Sequence, residues 1–267
     1  MKKKVTSKMN TFNILAIGDV CGASGVDFLS ARLRGLQRSV DACFTVVNGE
    51  NAQGRGLLPS DAEAIFNAGA DVITLGNHAY SKREIFNYLD DNGYILRPAN
   101  YAGNAPGRGF GLFDSPAGKI RVIALIGRKS LDYAPENPFN VIDRILASEN
   151  APYTLVDFHA EATAEKQAMA YYLDGRVSAV WGTHTHVQTS DARVLPKGTG
   201  VITDLGMTGP AESVIGMDIE QSISMFKGFP KDHYRSAGGR QTLQGSVFTI
   251  NRETGLCEKV TALRLDS

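Results

Sequence analysis

The segment Asn13-Ile-Leu-Ala-Ile-Gly-Asp19 is a short apolar run that ends in a glycine and a carboxylate. A run of this length that stops at a turn-forming residue is typical of a buried strand. Comparable runs recur along the chain, at residues 43–47, 71–75, 120–126, 153–158 and 177–181. These runs predict a sheet whose strands are largely buried.

Helix signals lie between the predicted strands. Ser60-Asp-Ala-Glu63 and Ser81-Lys-Arg-Glu84 have the spacing of a capping box, which predicts a helix with each serine as its N-cap. Further helices are predicted over residues 138–147, 167–172 and 218–226. Residues 242–250 and 256–265, joined by a turn over 251–255, predict an antiparallel hairpin. The alternation of strands and helices predicts an α/β fold with mixed sheets.

The composition is that of a folded protein with no excess of either charge. The chain has 267 residues, with 28 Lys plus Arg, 28 Asp plus Glu and 43% hydrophobic residues. A net charge of zero disfavours strong nucleic-acid binding, and no run approaches the length of a membrane span. We predict a disordered leader over residues 1–10 and a single domain with loop embellishments over 11–267.

The cysteines indicate where the protein resides. Cys21, Cys43 and Cys257 lack the paired, closely spaced pattern of a disulfide framework or of a cysteine-rich zinc site. A reducing compartment is therefore favoured, and we predict a cytoplasmic location.

Five of the apolar runs are followed closely by side chains that can bind a metal ion. In open α/β sheets, ligands bind where the carboxyl ends of the strands meet, so residues distant in sequence converge there. The residues in question are Asp19, Glu50, Asn51, Asn77, His78, His159, His184 and His186. A single residue of this kind after a strand is more often a turn former, but five coincidences favour a metal site.

The spacing and chemistry of these residues predict two metal ions. His184 and His186 are one residue apart, and in an extended segment both rings would point to the same side. Glu50 can bridge two cations with its two oxygens, and mixed nitrogen and oxygen ligands suit Mn, Fe or Zn better than Ca. His78 is then free to donate a proton to a leaving oxygen.

Three other features are weaker candidates. Cys21 could be a thiolate ligand, but a free cysteine is commonly a small buried hydrophobe, so we leave it out of the ligand set. Arg55, in the glycine-rich segment 51–56, and Arg128, after a predicted strand, could each contact a substrate phosphate. The glycines at 18, 22 and 25 do not form a dinucleotide-binding fingerprint, so no nicotinamide site is predicted.

Motifs spread over nearly the whole chain give it a family resemblance. They include Arg97-Pro-Ala-Asn100, Asp157-Phe-His-Ala-Glu-Ala-Thr163, Gly182-Thr-His-Thr-His-Val-Gln-Thr189, Leu195-Pro-Lys-Gly-Thr199 and Ile202-Thr-Asp-Leu-Gly-Met-Thr-Gly-Pro210. With the metal-competent residues, they make the sequence resemble the calcineurin-like metallophosphoesterases, and specifically the YmdB-type branch of 2′,3′-cyclic-nucleotide phosphodiesterases. The resemblance implies a four-layer αββα sandwich with two mixed sheets.

The resemblance also implies roles for the site residues. One metal ion would be held by Asp19, Glu50, Asn51 and His186, and the other by Glu50, Asn77, His159 and His184. His78 would be the proton donor. Cys21 stands where many metallophosphoesterases have a histidine, and Gly-Glu-Asn replaces their second Asp motif, as in the YmdB-type branch. These departures argue against protein phosphatase activity and leave diester hydrolysis as the implied reaction.

The predicted function is that of a metal-dependent phosphodiesterase. A hydroxide bridging two metal ions, Fe or Mn with Zn as a further possibility, would attack small cyclic nucleotides. The resemblance implies that 2′,3′-cyclic nucleotides give 3′-nucleotides. Two alternatives stay open: a phosphomonoesterase or nuclease on the same site, and a regulatory metal-binding protein that acts through a partner. We predict no membrane partner, and a homo-oligomer is compatible with the resemblance.

Overall fold

A computed structural model describes residues 10–131, 136–229 and 235–267. Within these ranges the strands are β1 (Thr11–Ile17), β2 (Asp19–Val20), β3 (Ala42–Asn48), β4 (Val72–Thr74), β5 (Ile95–Leu96), β6 (Phe110–Ser115), β7 (Gly118–Ile126), β8 (Tyr153–His159), β9 (Ala179–Thr183), β10 (Arg193–Val194), β11 (Gly200–Ile202), β12 (Met207–Pro210), β13 (Gln241–Asn251) and β14 (Cys257–Asp266). The helices are α1 (Gly22–Ser39), α2 (Pro59–Ala68), α3 (Ile85–Asp91), α4 (Pro138–Ser148), α5 (Thr163–Tyr172) and α6 (Ile219–Phe226).

The strands form two mixed sheets. The first has the order β2-β12-β13-β1-β3-β4-β5, with β14 paired to β13. Here β1, β3, β4 and β5 run parallel and β13 is antiparallel to β1. The second has the order β10-β11-β9-β8-β7-β6, in which β7, β8, β9 and β11 are parallel. The α/β class and the mixed sheets predicted from the sequence are therefore confirmed.

Alternation along the strands produces the four layers. In β1, Ile14 and Ala16 pack into the core between the two sheets, which also contains Trp181 of the second sheet. Leu15 and Ile17 face the other way, against α1, α2 and α3. The outer face of the second sheet packs against α4 and α5. Because successive side chains point to opposite faces, each sheet packs against the other sheet on one face and against helices on the other. The result is an αββα sandwich.

Several predicted boundaries need correction. Helix α2 begins at Pro59 with Leu58 as its N-cap, so Ser60 lies in the first turn instead of capping it. The carboxylate of Asp61 accepts the Leu58 amide at 3.1 Å, which replaces the predicted serine cap. Helix α3 begins at Ile85, because residues 79–84 form turns and a bend. Strand β9 ends at Thr183, two residues later than predicted.

The sequence reasoning missed the longest helix. Helix α1 has 18 residues, and glycines at 22, 25 and 35 weakened its helix signal. The predicted helices over 138–147, 167–172 and 218–226 and the closing hairpin are present, with ends shifted by a few residues. Residues 1–9 of the predicted leader lie outside the described ranges, so the leader and the single-domain organisation stay predictions. Among the described helices, none is both long and apolar enough to cross a membrane.

Candidate metal centre

Polar side chains that follow strands of both sheets meet in one cluster. Asp19 follows β1, residues 50–51 follow β3 and residues 77–78 follow β4 in the first sheet. In the second sheet His159 ends β8, and residues 184–186 follow β9. Contacts within the cluster join all eight residues that the sequence predicted for the site: Asp19, Glu50, Asn51, Asn77, His78, His159, His184 and His186.

Glu50 lies at the centre of the cluster and is fully buried. Its Oε1 is 3.1 Å from His159 Nε2 and 3.5 Å from His78 Nδ1, while its Oε2 accepts the His78 amide at 3.2 Å. Burial alone would raise the pKa of Glu50, but the charges and hydrogen bonds of His159 and His78 lower that pKa to about 2. A buried, ionised carboxylate is therefore available in the middle of the site.

The orientation of His159 is fixed by a chain of hydrogen bonds. The Thr183 hydroxyl donates to Asp157 Oδ1 at 2.7 Å, and Thr183 Oγ1 is 2.9 Å from His159 Nδ1. Since that hydroxyl proton is committed to Asp157, Nδ1 of His159 is the donor to Thr183. Nε2 is left facing the centre, 2.8 Å from Asn77 Oδ1. Metal-binding histidines are typically held in this way by an outer partner on the second nitrogen.

His184 and His186 show the same arrangement. Nε2 of His184 is 3.1 Å from the Glu161 carboxylate, and its Nδ1 is 3.0 Å from His159 Nε2. Nδ1 of His186 is 2.8 Å from the carbonyl oxygen of Ile215, and its Nε2 is 3.7 Å from Asp19 Oδ1. In both residues, one ring nitrogen is held by the protein and the other faces the cluster.

The donor set fits a metal ion. Glu50, His159 and His184 place one ligand atom each within 4.8 Å of one another. His159 Nε2 faces a carboxylate oxygen, an amide oxygen and a second imidazole nitrogen. The lone pairs of these atoms repel one another unless a cation or a shared proton lies between them. Imidazole, carboxylate and amide ligands in one place are typical of first-row transition metals and zinc.

A second set of polar side chains adjoins the first through Glu50, with the amide nitrogen of Asn51 facing them and its oxygen facing His78. Asn51 Nδ2 is 3.4 Å from Glu50 Oε1, 3.5 Å from Asp19 Oδ1 and 3.1 Å from His186 Nε2. Asp19 is fully buried, and burial raises its pKa to about 6 despite the opposing charges of His186 and His159. Burial disfavours the ionised form of this carboxyl group, and a bound cation would stabilise that form.

The premise for the two histidines of the 184–186 segment was wrong. His184 and His186 have φ values of +102° and +63°, so the backbone turns sharply at both residues instead of being extended. The turn is held by Asp204, whose Oδ2 accepts the amide of Thr185 at 3.2 Å and its hydroxyl at 2.8 Å. Such φ values are strained for residues other than glycine and persist when the surroundings fix them.

His78 lies where the cluster opens to solvent. Its Nδ1 is 3.0 Å from Asn51 Oδ1, and its side chain is partly exposed. It lines a cleft of about 580 Å³, here called the metal cleft, together with Glu50, Asn77 and His184. Burial lowers the pKa of His78, and the Glu50 charge partly opposes that effect. A substrate in the metal cleft would therefore contact both the ligand cluster and an imidazole.

Comparison with known proteins assigns the family. The profile of the family described as YmdB-like protein matches residues 15–263. The chain belongs to the YmdB-like protein family. It is 43% identical over 256 residues to the 2′,3′-cyclic-nucleotide 2′-phosphodiesterase of Bacillus subtilis (strain 168), an alignment that covers 95% of this chain and 97% of that protein.

Solved structures agree with the family assignment. A novel phosphatase from Mycoplasma pneumoniae superposes with a TM-score of 0.91 at 33% identity, covering 97% of this chain and 94% of that one. A hypothetical protein from Thermus thermophilus superposes with a TM-score of 0.89 at 37% identity, covering 96% and 100%. This YmdB-like chain thus shares its whole fold with both.

Some residues that support the site of this YmdB-like chain were missed by the sequence reasoning. Lys166 Nζ is 2.6 Å from Asp204 Oδ2, and both side chains are buried. The signal available was the motif at 202–210, which contains Asp204 but does not reveal its partner. Cys21 is buried as predicted, but its Sγ also lies 3.5 Å from His186 Nδ1. Among the described residues that line the metal cleft, Arg55 is present and Arg128 is not.

Gly76, immediately before Asn77, leaves the space that His159 occupies. A Cβ at Gly76 would lie 2.2–2.4 Å from three atoms of the His159 ring. We expect Gly76→Ala to lower the free energy of unfolding by about 1–3 kcal/mol through overpacking, and to weaken Mn²⁺ binding because the ring must move. Denaturant unfolding and calorimetric titration with Mn²⁺ measure the two effects.

The matched control is Gly35→Ala in helix α1, where a Cβ would meet nothing within 4 Å. This substitution should stabilise the protein by about 0.5–1 kcal/mol, since alanine favours a helix interior over glycine. Equal stability and equal Mn²⁺ affinity of Gly76→Ala and the unchanged protein would contradict the packing argument.

Proposed function

We propose that the protein is a metal-dependent phosphodiesterase that hydrolyses 2′,3′-cyclic nucleotides to 3′-nucleotides. The observation that carries the proposal is the clustering of Glu50, His159 and His184 ligand atoms within 4.8 Å of one another, beside the partly exposed His78. The name of the Bacillus subtilis relative, a 2′,3′-cyclic-nucleotide 2′-phosphodiesterase, supports this substrate class.

The residues divide between metal binding and proton transfer. We assign Asp19, Glu50, Asn51 and His186 to one ion, and Glu50, Asn77, His159 and His184 to the other. When bound, two ions of Fe or Mn, with Zn as a further candidate, supply a hydroxide nucleophile and neutralise phosphate charge. The oxygen of water would bond to phosphorus as its proton passes to solvent, and the bond between phosphorus and the 2′ oxygen would break. His78 would give a proton to that oxygen and regain one from solvent.

Two alternatives from the sequence define the panel of substrates. A phosphomonoesterase or nuclease would use the same ligands, whereas a regulatory protein would need metal binding alone. The position of His78 in an open cleft favours catalysis, because a purely structural metal site is closed by its protein ligands. A homo-oligomer and a cytoplasmic location remain predictions from the sequence.

The test is hydrolysis of 2′,3′-cyclic AMP by metal-stripped protein, with and without added Mn²⁺. We expect Mn²⁺-dependent formation of 3′-AMP, resolved from 2′-AMP by chromatography, and slower turnover of a phosphate monoester and of a short RNA without a cyclic end. Formation of 2′-AMP alone would overturn the assignment of the broken bond. No turnover by protein that binds two equivalents of metal would overturn the diesterase proposal.

A further inference from the structure

A second cleft opens directly beside the metal centre. This side cleft has a volume of about 400 Å³, and Asn51 and His186 line both it and the metal cleft. Ile215 and Met217 also line both clefts. The two spaces are therefore neighbours along a single opening, and a ligand whose reacting group lies at the metal centre can extend into the side cleft.

The side cleft is locally positive in a chain that has no net charge. Arg55, Lys82 and Arg235 line it, and none of its lining residues within the described ranges is Asp or Glu. The whole chain has 28 basic and 28 acidic residues, so a lining with three cations and no described acidic residue is a local departure from the average. Asp218, 3.8 Å from Arg235, pairs with that arginine from outside the lining.

Neutral hydrogen-bond donors complete the lining. Ser81 and Ser236 belong to it, as does Gln53, whose side-chain amide donates to the Asp61 carboxylate at 3.0 Å. Cys21 and Gly22, where helix α1 begins, also line the cleft, and the first turn of this helix has no acidic residue. Cations combined with hydroxyl and amide donors are the groups that bind phosphate oxygens in proteins.

The chemistry of the ribose limits where a second phosphate can be attached. Resting on the proposed function, the cyclic phosphate at the metal centre occupies both the 2′ and the 3′ oxygen. The 5′ oxygen is then the remaining ribose hydroxyl position that can carry phosphate. We propose that the side cleft binds this 5′ phosphate, so the preferred substrates are 2′,3′-cyclic nucleotides that are phosphorylated or esterified at the 5′ oxygen.

The 5′ phosphate could be the terminal phosphate of a mononucleotide or the internucleotide phosphate at the end of an oligonucleotide, and the experiment separates the two. The substrates compared are adenosine 2′,3′-cyclic phosphate, its 5′-phosphorylated form, and the dinucleotide ApA with a 2′,3′-cyclic phosphate end. With the Mn²⁺-loaded protein, we expect kcat/KM about ten-fold or more higher for at least one 5′-substituted substrate, the size of one charge-assisted contact. A preference for the phosphorylated mononucleotide alone indicates a terminal phosphate, and a preference for both indicates an oligonucleotide end.

Variants connect the preference to the side cleft. In Lys82→Gln/Arg235→Gln, which leaves Arg55 as the remaining described cation of the lining, the ratio of kcat/KM between the 5′-substituted and unsubstituted substrates should fall about three-fold or more. The matched control is Arg83→Gln, an exposed neighbour of Lys82 that does not line the cleft, and it should keep the ratio of the unchanged protein. Circular dichroism of each variant verifies folding, and raised salt should reduce the preference of the unchanged protein.

The outcomes are distinguishable from failure of the proposed function. Equal kcat/KM for all three substrates, or a preference that the double substitution leaves undiminished, would overturn the side-cleft proposal while leaving cyclic-phosphate hydrolysis in place. If none of the three cyclic substrates is hydrolysed, the proposed function fails, and the side-cleft proposal fails with it.

Discussion

Replacing Glu50 by glutamine is expected to lower turnover of 2′,3′-cyclic AMP by roughly three orders of magnitude, with a loss of bound metal. Glu50 is fully buried, and its oxygens lie within contact distance of His159 and His78. The substitution preserves the shape of the side chain but removes the charge shared by the two proposed ligand sets. Steady-state kinetics and elemental analysis of the purified protein measure the two losses.

The matched control for this prediction is Glu63→Gln. Glu63 is an exposed carboxylate on α2 that accepts the hydroxyl of Tyr88 and lies outside the cluster. Its substitution should leave turnover and metal content near those of the unchanged protein. Full activity of Glu50→Gln at unchanged metal content would show that Glu50 is not a ligand, and the assignment of both ions would have to be revised.

Replacing His78 by asparagine should lower kcat by about a hundred-fold or more while both metal equivalents remain bound, because general acid catalysis contributes roughly 10²–10⁴. His78 lines the metal cleft and contacts the cluster through Asn51 and Glu50, but it is not in either proposed ligand set. Single-turnover hydrolysis of 2′,3′-cyclic AMP, with metal content determined on the same sample, measures this effect.

A change of leaving group distinguishes proton donation from a structural role. Bis(4-nitrophenyl) phosphate releases 4-nitrophenolate, which departs without needing a proton, so His78→Asn should be impaired much less with this substrate. An equal loss on both substrates would assign His78 to positioning. Unchanged kcat on both would show that His78 is neither the proton donor nor a positioning residue, and another group would have to protonate the leaving oxygen.

The sequence predicted the fold class because burial is recorded in local patterns. Strands β1, β3, β7 and β8 are covered on both faces, so their residues are almost all hydrophobic. These strands were therefore visible in the sequence as continuous apolar runs. Helix α1 was missed because its glycines obscure the pattern, although Val26, Leu29 and Leu33 pack one face of it into a core. The cap of α2 differs because the helix begins earlier, at Pro59, and Asp61 in its first turn accepts the amide of Leu58.

The clustering of the site residues could also be predicted, since each residue follows a strand and strand ends converge. The local conformation at 184–186 could not. The turn in which His184 and His186 adopt positive φ depends on Asp204, and Asp204 is neutralised by Lys166 from α5, a residue 38 positions away in sequence. Spacing alone suggested an extended segment because a contact of this kind leaves no local signal.

The sequence by itself determined the residue types, the strands that carry them and the edge at which they meet, because hydrophobic periodicity and turn residues act over short distances. Only the tertiary structure decided which nitrogen of each histidine faces the centre. That orientation is set by Thr183, Glu161 and the Ile215 carbonyl, which the fold brings from separate segments. The tertiary structure also created the side cleft, because Arg55, Lys82 and Arg235 come from separate segments and line one cleft only in the folded chain.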